Sequence, residues 1–167
     1  MARLTTVTLL VTATVTLLVT VAVSIGIARA QAPTPYGLPI GLDAAKSAVA
    51  AAEEQAKKIT PIPYVIAIVD PGGHLIYFER EDNAQIGSVR VAIDKARSAT
   101  LFRRPTKVFA DALTSGRNAI LALHGAVPLQ GGLPLVAGGK IVGAIGASGG
   151  SGDQDEQVAK AGADTVK

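Results

Sequence analysis

Two apolar stretches that each double back on a glycine-rich turn constrain this chain more than anything else in it. Tyr64-Val65-Ile66-Ala67-Ile68-Val69 is a β-branched run, Leu75-Ile76-Tyr77-Phe78 is a second, and Asp70-Pro71-Gly72-Gly73 joins them. Leu133-Pro134-Leu135-Val136 and Lys140 to Ala147 repeat that layout around Ala137-Gly138-Gly139. Apolar runs on either side of such turns form β-hairpins, so the sheet has to be antiparallel. The unbroken apolarity of 64–69 predicts a central strand covered on both faces.

Helical spacing fills the intervals. Ala45, Val49, Ala52, Ala56 and Ile59 recur at three- and four-residue steps, with Lys46, Glu53, Glu54 and Lys57 between them. Gly41 is the expected N-cap, Asp43 favours the helix dipole, and Thr60-Pro61-Ile62-Pro63 stops the helix. A second helix is predicted over Gly87–Phe102, capped by Ser88 and buried through Val89, Ala92, Ile93, Ala96 and Ala99. Pro105 ends it, and Thr106 caps a third helix reaching about Ser115. Segment 117–130 fits no single pattern. After Ser148-Gly149-Gly150-Ser151-Gly152, Asp153 is the expected cap of a closing helix, with Glu156 at capping-box spacing. The order α-ββ-αα-ββ-α predicts an α+β fold, an antiparallel sheet of two hairpins flanked by helices, and not a parallel doubly wound one.

This pattern starts only after residue 40. Arg3 precedes a stretch from Leu4 to Ile27 without a charge, and Ala28-Arg29-Ala30 is a small-x-small site. That order of charge, apolar run and cleavage site reads as a signal peptide over 1–30, cleaved near Ala30/Gln31. The alternative is an uncleaved N-terminal anchor, since the run is long enough to span a bilayer. Residues 31–40, rich in proline, form a flexible or extended arm, and 41–167 the domain. The expected address is extracytoplasmic, periplasmic or secreted.

Charge and cysteine content then exclude several classes. The formal net charge is +3, but removing Arg3 and Arg29 leaves 14 basic against 13 acidic residues. Nothing in that balance calls for nucleic acid, and a membrane enters only through an uncleaved leader. With no cysteine in the chain, thiolate catalysis, iron–sulfur clusters and cysteine zinc sites fall away.

Candidate chemistry is sparse. His74 and His124 lie fifty residues apart, with no zinc spacing and no obvious orienting partner; either alone can ligate haem iron or serve as an ordinary polar residue. Arg90, Lys95, Arg97, Arg103, Arg104 and Lys107 make a basic segment in which Arg90, Asp94, Arg97 and Arg104 share a helical face. Such a face suits carboxylates, haem propionates or a small organic acid among them, or is simply solvated. Gly149-Gly150-Ser151-Gly152 lacks the lysine of a phosphate loop, and no G-x-S-x-G is present.

Several motifs resemble one family. Ala67-Ile-Val-Asp-Pro-Gly-Gly-His-Leu75, Phe78-Glu-Arg80, Ile93-Asp-Lys-Ala96, Phe102-Arg-Arg-Pro-Thr106, Gly131-Gly-Leu-Pro134, Gly143-Ala-Ile-Gly146 and Asp153-Gln-Asp-Glu156 are similar, in order, to the GlcG/HbpS proteins. The resemblance covers about 40–167. It implies an α+β fold, homo-oligomers that are often octamers, haem as the cofactor, and weak haem degradation in some members. Lys95, Ser98, Arg103 and Arg104 would then line the ligand, with His74 or His124 as axial donor. Ser98 stands where the family's K-A-x-T-A motif has threonine. The competing expectation is a non-haem accessory module that binds a small organic acid or a partner enzyme.

Overall fold

A computed structural model of the protein describes residues 32–167, so the expected leader at 1–30 lies outside the described residues. Its elements are α1 (Leu42–Ile59), β1 (Val65–Val69), β2 (Leu75–Arg80), α2 (Ile86–Phe102), α3 (Lys107–Thr114), a 3-10 turn at Asn118–Ala122, β3 (Gly132–Ala137), β4 (Lys140–Ser148) and α4 (Gly152–Ala163). This is the expected α-ββ-αα-ββ-α order, and the ambiguous 117–130 stretch holds the 3-10 turn and a loop.

The sheet runs β2-β1-β4-β3. All its pairs are antiparallel. The two hairpins lie side by side, joined where Ala67 faces Gly146 and Ile68 faces Ile145. Every residue of β1 is buried, as its unbroken apolarity predicts. Alternation sorts its side chains to two layers. Ile66 and Ile68 pack with Ile145, Ala147 and the small buried residues of α1 and α4, whereas Val65, Ala67 and Val69 face α2 through Ala92, Ala96 and Ala99. The α2 backbone comes unusually close to β4, because a Cβ on Gly146 would collide with the Ala92 carbonyl and the Ala96 amide. Glycine on one side and alanines on the other make that contact possible. At the sheet's outer edge, β3 carries Pro134 opposite Ala144.

Three local expectations need correction. Ser88 does not cap α2; the helix starts earlier, after Gln85, so Ser88 lies inside it and its hydroxyl meets that of Ser148 at 3.1 Å. The cap of α4 is Ser151, not Asp153. Ser151 is extended (φ −72, ψ 164), its hydroxyl accepts from the Gln154 amide, and Gln154 returns the bond to the Ser151 amide. Glu156 is thereby freed to accept from the Gly131 amide at 2.8 Å. Thr106 precedes α3 without a side-chain capping bond, and its hydroxyl instead accepts from the Gly132 amide at 3.0 Å.

The proline-rich arm lies extended along β4 beyond the last β1 pair. Ile141 donates to the Pro35 carbonyl, Gly37 to the Ile141 carbonyl and Ile40 to the Val142 carbonyl, each at 2.8 Å. No helix among the described residues is long and apolar enough to cross a membrane.

Candidate functional site

The exposed side of α2 forms the floor of a trough. Arg90, Asp94, Arg97 and Leu101 fall at four- and three-residue steps, so one helical face carries them all. Together with Gly125, Ala126 and Val127 they enclose a cavity of about 410 Å³. A second hollow of about 210 Å³, between Pro71-Gly72-Gly73 and Thr100, shares Arg97 and Leu101 with the first. The β1–β2 turn therefore forms one wall and the 125–127 loop the other. Both volumes lie in or near the range of small-molecule and cofactor sites.

Charge in the trough is fixed by short contacts. Arg90 Nε lies 2.7 Å from Asp94 Oδ2, and an Arg97 terminal nitrogen lies 3.9 Å from the other Asp94 oxygen. Arg97 Nε also donates to the Gly73 carbonyl at 3.1 Å, which ties helix to turn. Two guanidinium groups against one carboxylate leave the floor with net positive charge beside the apolar Leu101 and Val127.

His74 has an orienting partner in Asp70, four residues before it. Asp70 Oδ1 accepts from the His74 backbone amide at 2.9 Å, and Asp70 Oδ2 lies 3.2 Å from His74 Nδ1. The turn Asp70-Pro-Gly-Gly-His74 brings the two side chains together across four residues, a signal the sequence does contain. Burial works to raise the Asp70 pKa, but the hydrogen bonds and charge of His74 prevail and hold the carboxyl below the ordinary aspartate value. With Nδ1 engaged, Nε2 of a largely exposed imidazole remains available as a metal donor. His124 is exposed on the opposite side, next to Gly125 of the trough wall.

The four proposed ligand-face residues do not share one cavity. Ser98 is buried under the trough, where its hydroxyl accepts from the Val127 amide at 3.0 Å and pins the loop. Arg103, left-handed at φ 54, ends α2 and stacks its guanidinium 4.3 Å from the Tyr36 ring centre. Arg104 therefore lies past the helix end, off the Arg90–Arg97 face, where it bonds the Phe102 carbonyl and lies 6.0 Å from the Phe109 ring centre. Lys95 points into a different space. Its Nζ donates to the Ala147 carbonyl at 2.9 Å and pairs with Asp155 Oδ2 at 2.6 Å, and only 2% of Lys95 is exposed. Asp155 Oδ1 in turn accepts from the Gly149 and Gly150 amides. Burial draws the Lys95 pKa below the ordinary lysine value, against the opposing pull of Asp155 and Glu156.

A four-stranded antiparallel sheet between two helical layers, with a cationic trough on α2, defines a small α+β domain. Residues 40–164 match the family model described as "Haem degrading protein HbpS-like", and the chain belongs to that family. Protein GlcG of Escherichia coli (strain K12) is 40% identical over 104 residues, covering 62% of this chain and 77% of that protein. A double-mutant crystal structure of Streptomyces reticuli HbpS superposes with a TM-score of 0.70 at 35% identity, over 78% of this chain and 89% of that one. The crystal structure of a PduOC:heme complex gives a TM-score of 0.69 at 25% identity, over 78% and 96% respectively.

Proposed function

We propose that this protein is an exported haem-binding protein that holds haem in the α2 trough and works as a homo-oligomer. The observation that carries the reading is the Asp70–His74 pair, which closes the turn whose Pro71-Gly72-Gly73 segment walls a trough with Arg97 and Arg90 on its floor. A carboxylate on Nδ1 is what fixes the tautomer and ring orientation of a metal-ligating histidine. Arg90 and Arg97 supply charge-assisted donors for propionates. Leu101 and Val127 offer apolar contact to a macrocycle, and Ser98 holds the loop that carries Val127. Bound haem would supply an iron centre that exchanges electrons and small ligands. The chain's own part is to bind, orient and partly enclose it.

Export rests on the leader pattern at 1–30. Family resemblance supports self-association, and exposed Leu38, Ile86 and Leu121 offer apolar surface for it. Light scattering on the mature chain reads the oligomer directly, and an N-terminal sequence beginning at Gln31 in the exported fraction marks the cleavage. The Arg90–Arg97 floor also suits a small organic acid without iron.

A haem titration followed in the Soret region decides between these. A saturable shift that disappears in His74→Ala and persists in His124→Ala supports the reading. No shift at micromolar haem refutes it and leaves the organic-acid module. A shift lost only in His124→Ala moves the axial ligand to the opposite wall.

A further inference from the structure

The cavity on the other side of α2 is used by nothing above. It measures about 260 Å³ and lies between α2, the Leu129–Gln130 segment and the start of α4, with Lys95, Asp155, Gln130 and Ser148 in its wall. We infer that Lys95 is a nucleophilic lysine that condenses with small aldehydes entering this cavity.

The geometry separates this pair from a purely structural one. A lysine ammonium has three donors, and Lys95 spends two, on Ala147 and Asp155. Both side chains are almost wholly buried, at 2% and 6% exposure, yet both contribute to the wall of a space large enough for a small organic molecule. The Gln130 side-chain oxygen, also in that wall, is buried without a protein partner, as is the hydroxyl of Tyr64. Tyr64 is 1% exposed, and burial and the nearby charge of Asp155 push its pKa up, so it stays a proton donor. The charged groups acting on Lys95 are Asp155 and Glu156, both from α4, and desolvation outweighs them. A desolvated lysine is the type that carries Schiff-base chemistry.

Each step balances. The Lys95 ammonium passes a proton to Asp155, and the free amine adds to the carbonyl carbon as the C=O π pair moves to oxygen. Asp155 returns that proton to the oxygen and takes the next one from nitrogen, leaving a neutral carbinolamine. It then protonates the hydroxyl, the C–O bond breaks, water leaves, and the nitrogen lone pair closes a C=N bond. The iminium so formed keeps one positive charge opposite one Asp155 carboxylate. The buried pair is therefore restored at the end. The unpartnered Gln130 side-chain oxygen in the same wall would accept from the carbinolamine hydroxyl.

The test is limited reductive alkylation of the mature chain with propanal and cyanoborohydride at neutral pH, mapped by peptide mass spectrometry. Lys95 is expected to be alkylated faster than exposed Lys46, Lys58 and Lys140, because burial favours its uncharged, nucleophilic form. Val91→Trp, which fills the cavity and spares the pair, should slow labelling of Lys95 and leave the surface lysines unchanged. If Lys95 stays unmodified in the native chain and reacts only in urea, it is a structural ion pair and the inference is wrong. Equal labelling of all lysines overturns it as well. Neither outcome bears on haem binding in the α2 trough.

Discussion

Lys95 on α2 and Asp155 on α4 meet at 2.6 Å with both side chains almost wholly removed from water. The pair joins the layers on opposite faces of the sheet, close to the end of β4. Removing one partner leaves the other charged and buried, which costs about 3–5 kcal/mol. Lys95→Met and Asp155→Leu should each lower stability by that order in urea titration. The double variant should be less damaged than the two losses added together, because no unpaired charge remains. Additive losses in the double-mutant cycle would mean the two residues act separately.

Closeness of α2 to β4 gives a second prediction. A methyl at Gly146 would collide with the backbone of Ala92 and Ala96. Gly146→Ala should therefore destabilise the domain by about 1–3 kcal/mol through overpacking. Thermal melts check it, and an unchanged Tm would show that α2 can shift outward at little cost.

Glu53 on α1 lies against the acidic side of β2, where Tyr77 donates to Glu79 at 2.8 Å. Burial first, then the shared hydrogen bond and charge of Glu79, push the Glu53 pKa from 4.5 up to about 7; Glu81 adds to this and Lys57 opposes it. A carboxyl whose pKa is raised on folding binds its proton more tightly in the native state. Its contribution to stability is therefore present in acid and lost as pH climbs from 4.5 to about 7. Glu53→Gln should raise the Tm at pH 8 and make little difference at pH 5. A gain of equal size at both values would assign the effect to packing.

If haem occupies the α2 trough, Asp70→Ala should weaken it by about 10–100-fold through loss of the bond to His74 Nδ1. His74→Ala should abolish histidine-type Soret features. Asp70→Ala that binds like wild type would leave His74 as a ligand without an orienting carboxylate, or as no ligand at all.

The α4 cap is the simplest test of the corrected helix start. Ser151→Ala should cost about 1 kcal/mol, whereas Asp153→Ala removes only a first-turn charge and should cost less. Chemical denaturation of the two variants ranks them.

Local signals carried much of this. Apolar runs broken by Asp-Pro-Gly-Gly and Ala-Gly-Gly located both hairpins, and the spacing of Ala45, Val49, Ala52 and Ala56 located α1 within the residues observed. Choices one or two residues wide were missed at Ser88 and Asp153, because a serine or aspartate near a helix start satisfies the same pattern whether it caps, faces the core or merely sits in the first turn. Pairings over long separation were out of reach. Nothing near Lys95 in the chain announces Asp155, and nothing in the arm announces its bonds to Ile141 and Val142. The basic segment was visible as a block of charge. Its division between Arg90 and Arg97 in the trough, Arg103 and Arg104 on aromatic rings, and Lys95 in a separate cavity depends on where α2 ends and which layer each turn faces. The Asp70–His74 pair is intermediate: its spacing is local, but only the folded turn aligns the carboxylate with both the amide and the ring.

Pro134 in β3 also limits how copies of this chain can associate. An additional strand laid along that edge would find no amide donor at the proline and a φ that cannot adjust to it. Growth of the sheet into a cross-β fibre is interrupted on this side by a single residue. A molecule that meets the β3 edge is therefore limited to contacts between side chains, and that edge is a poor template for polymerisation.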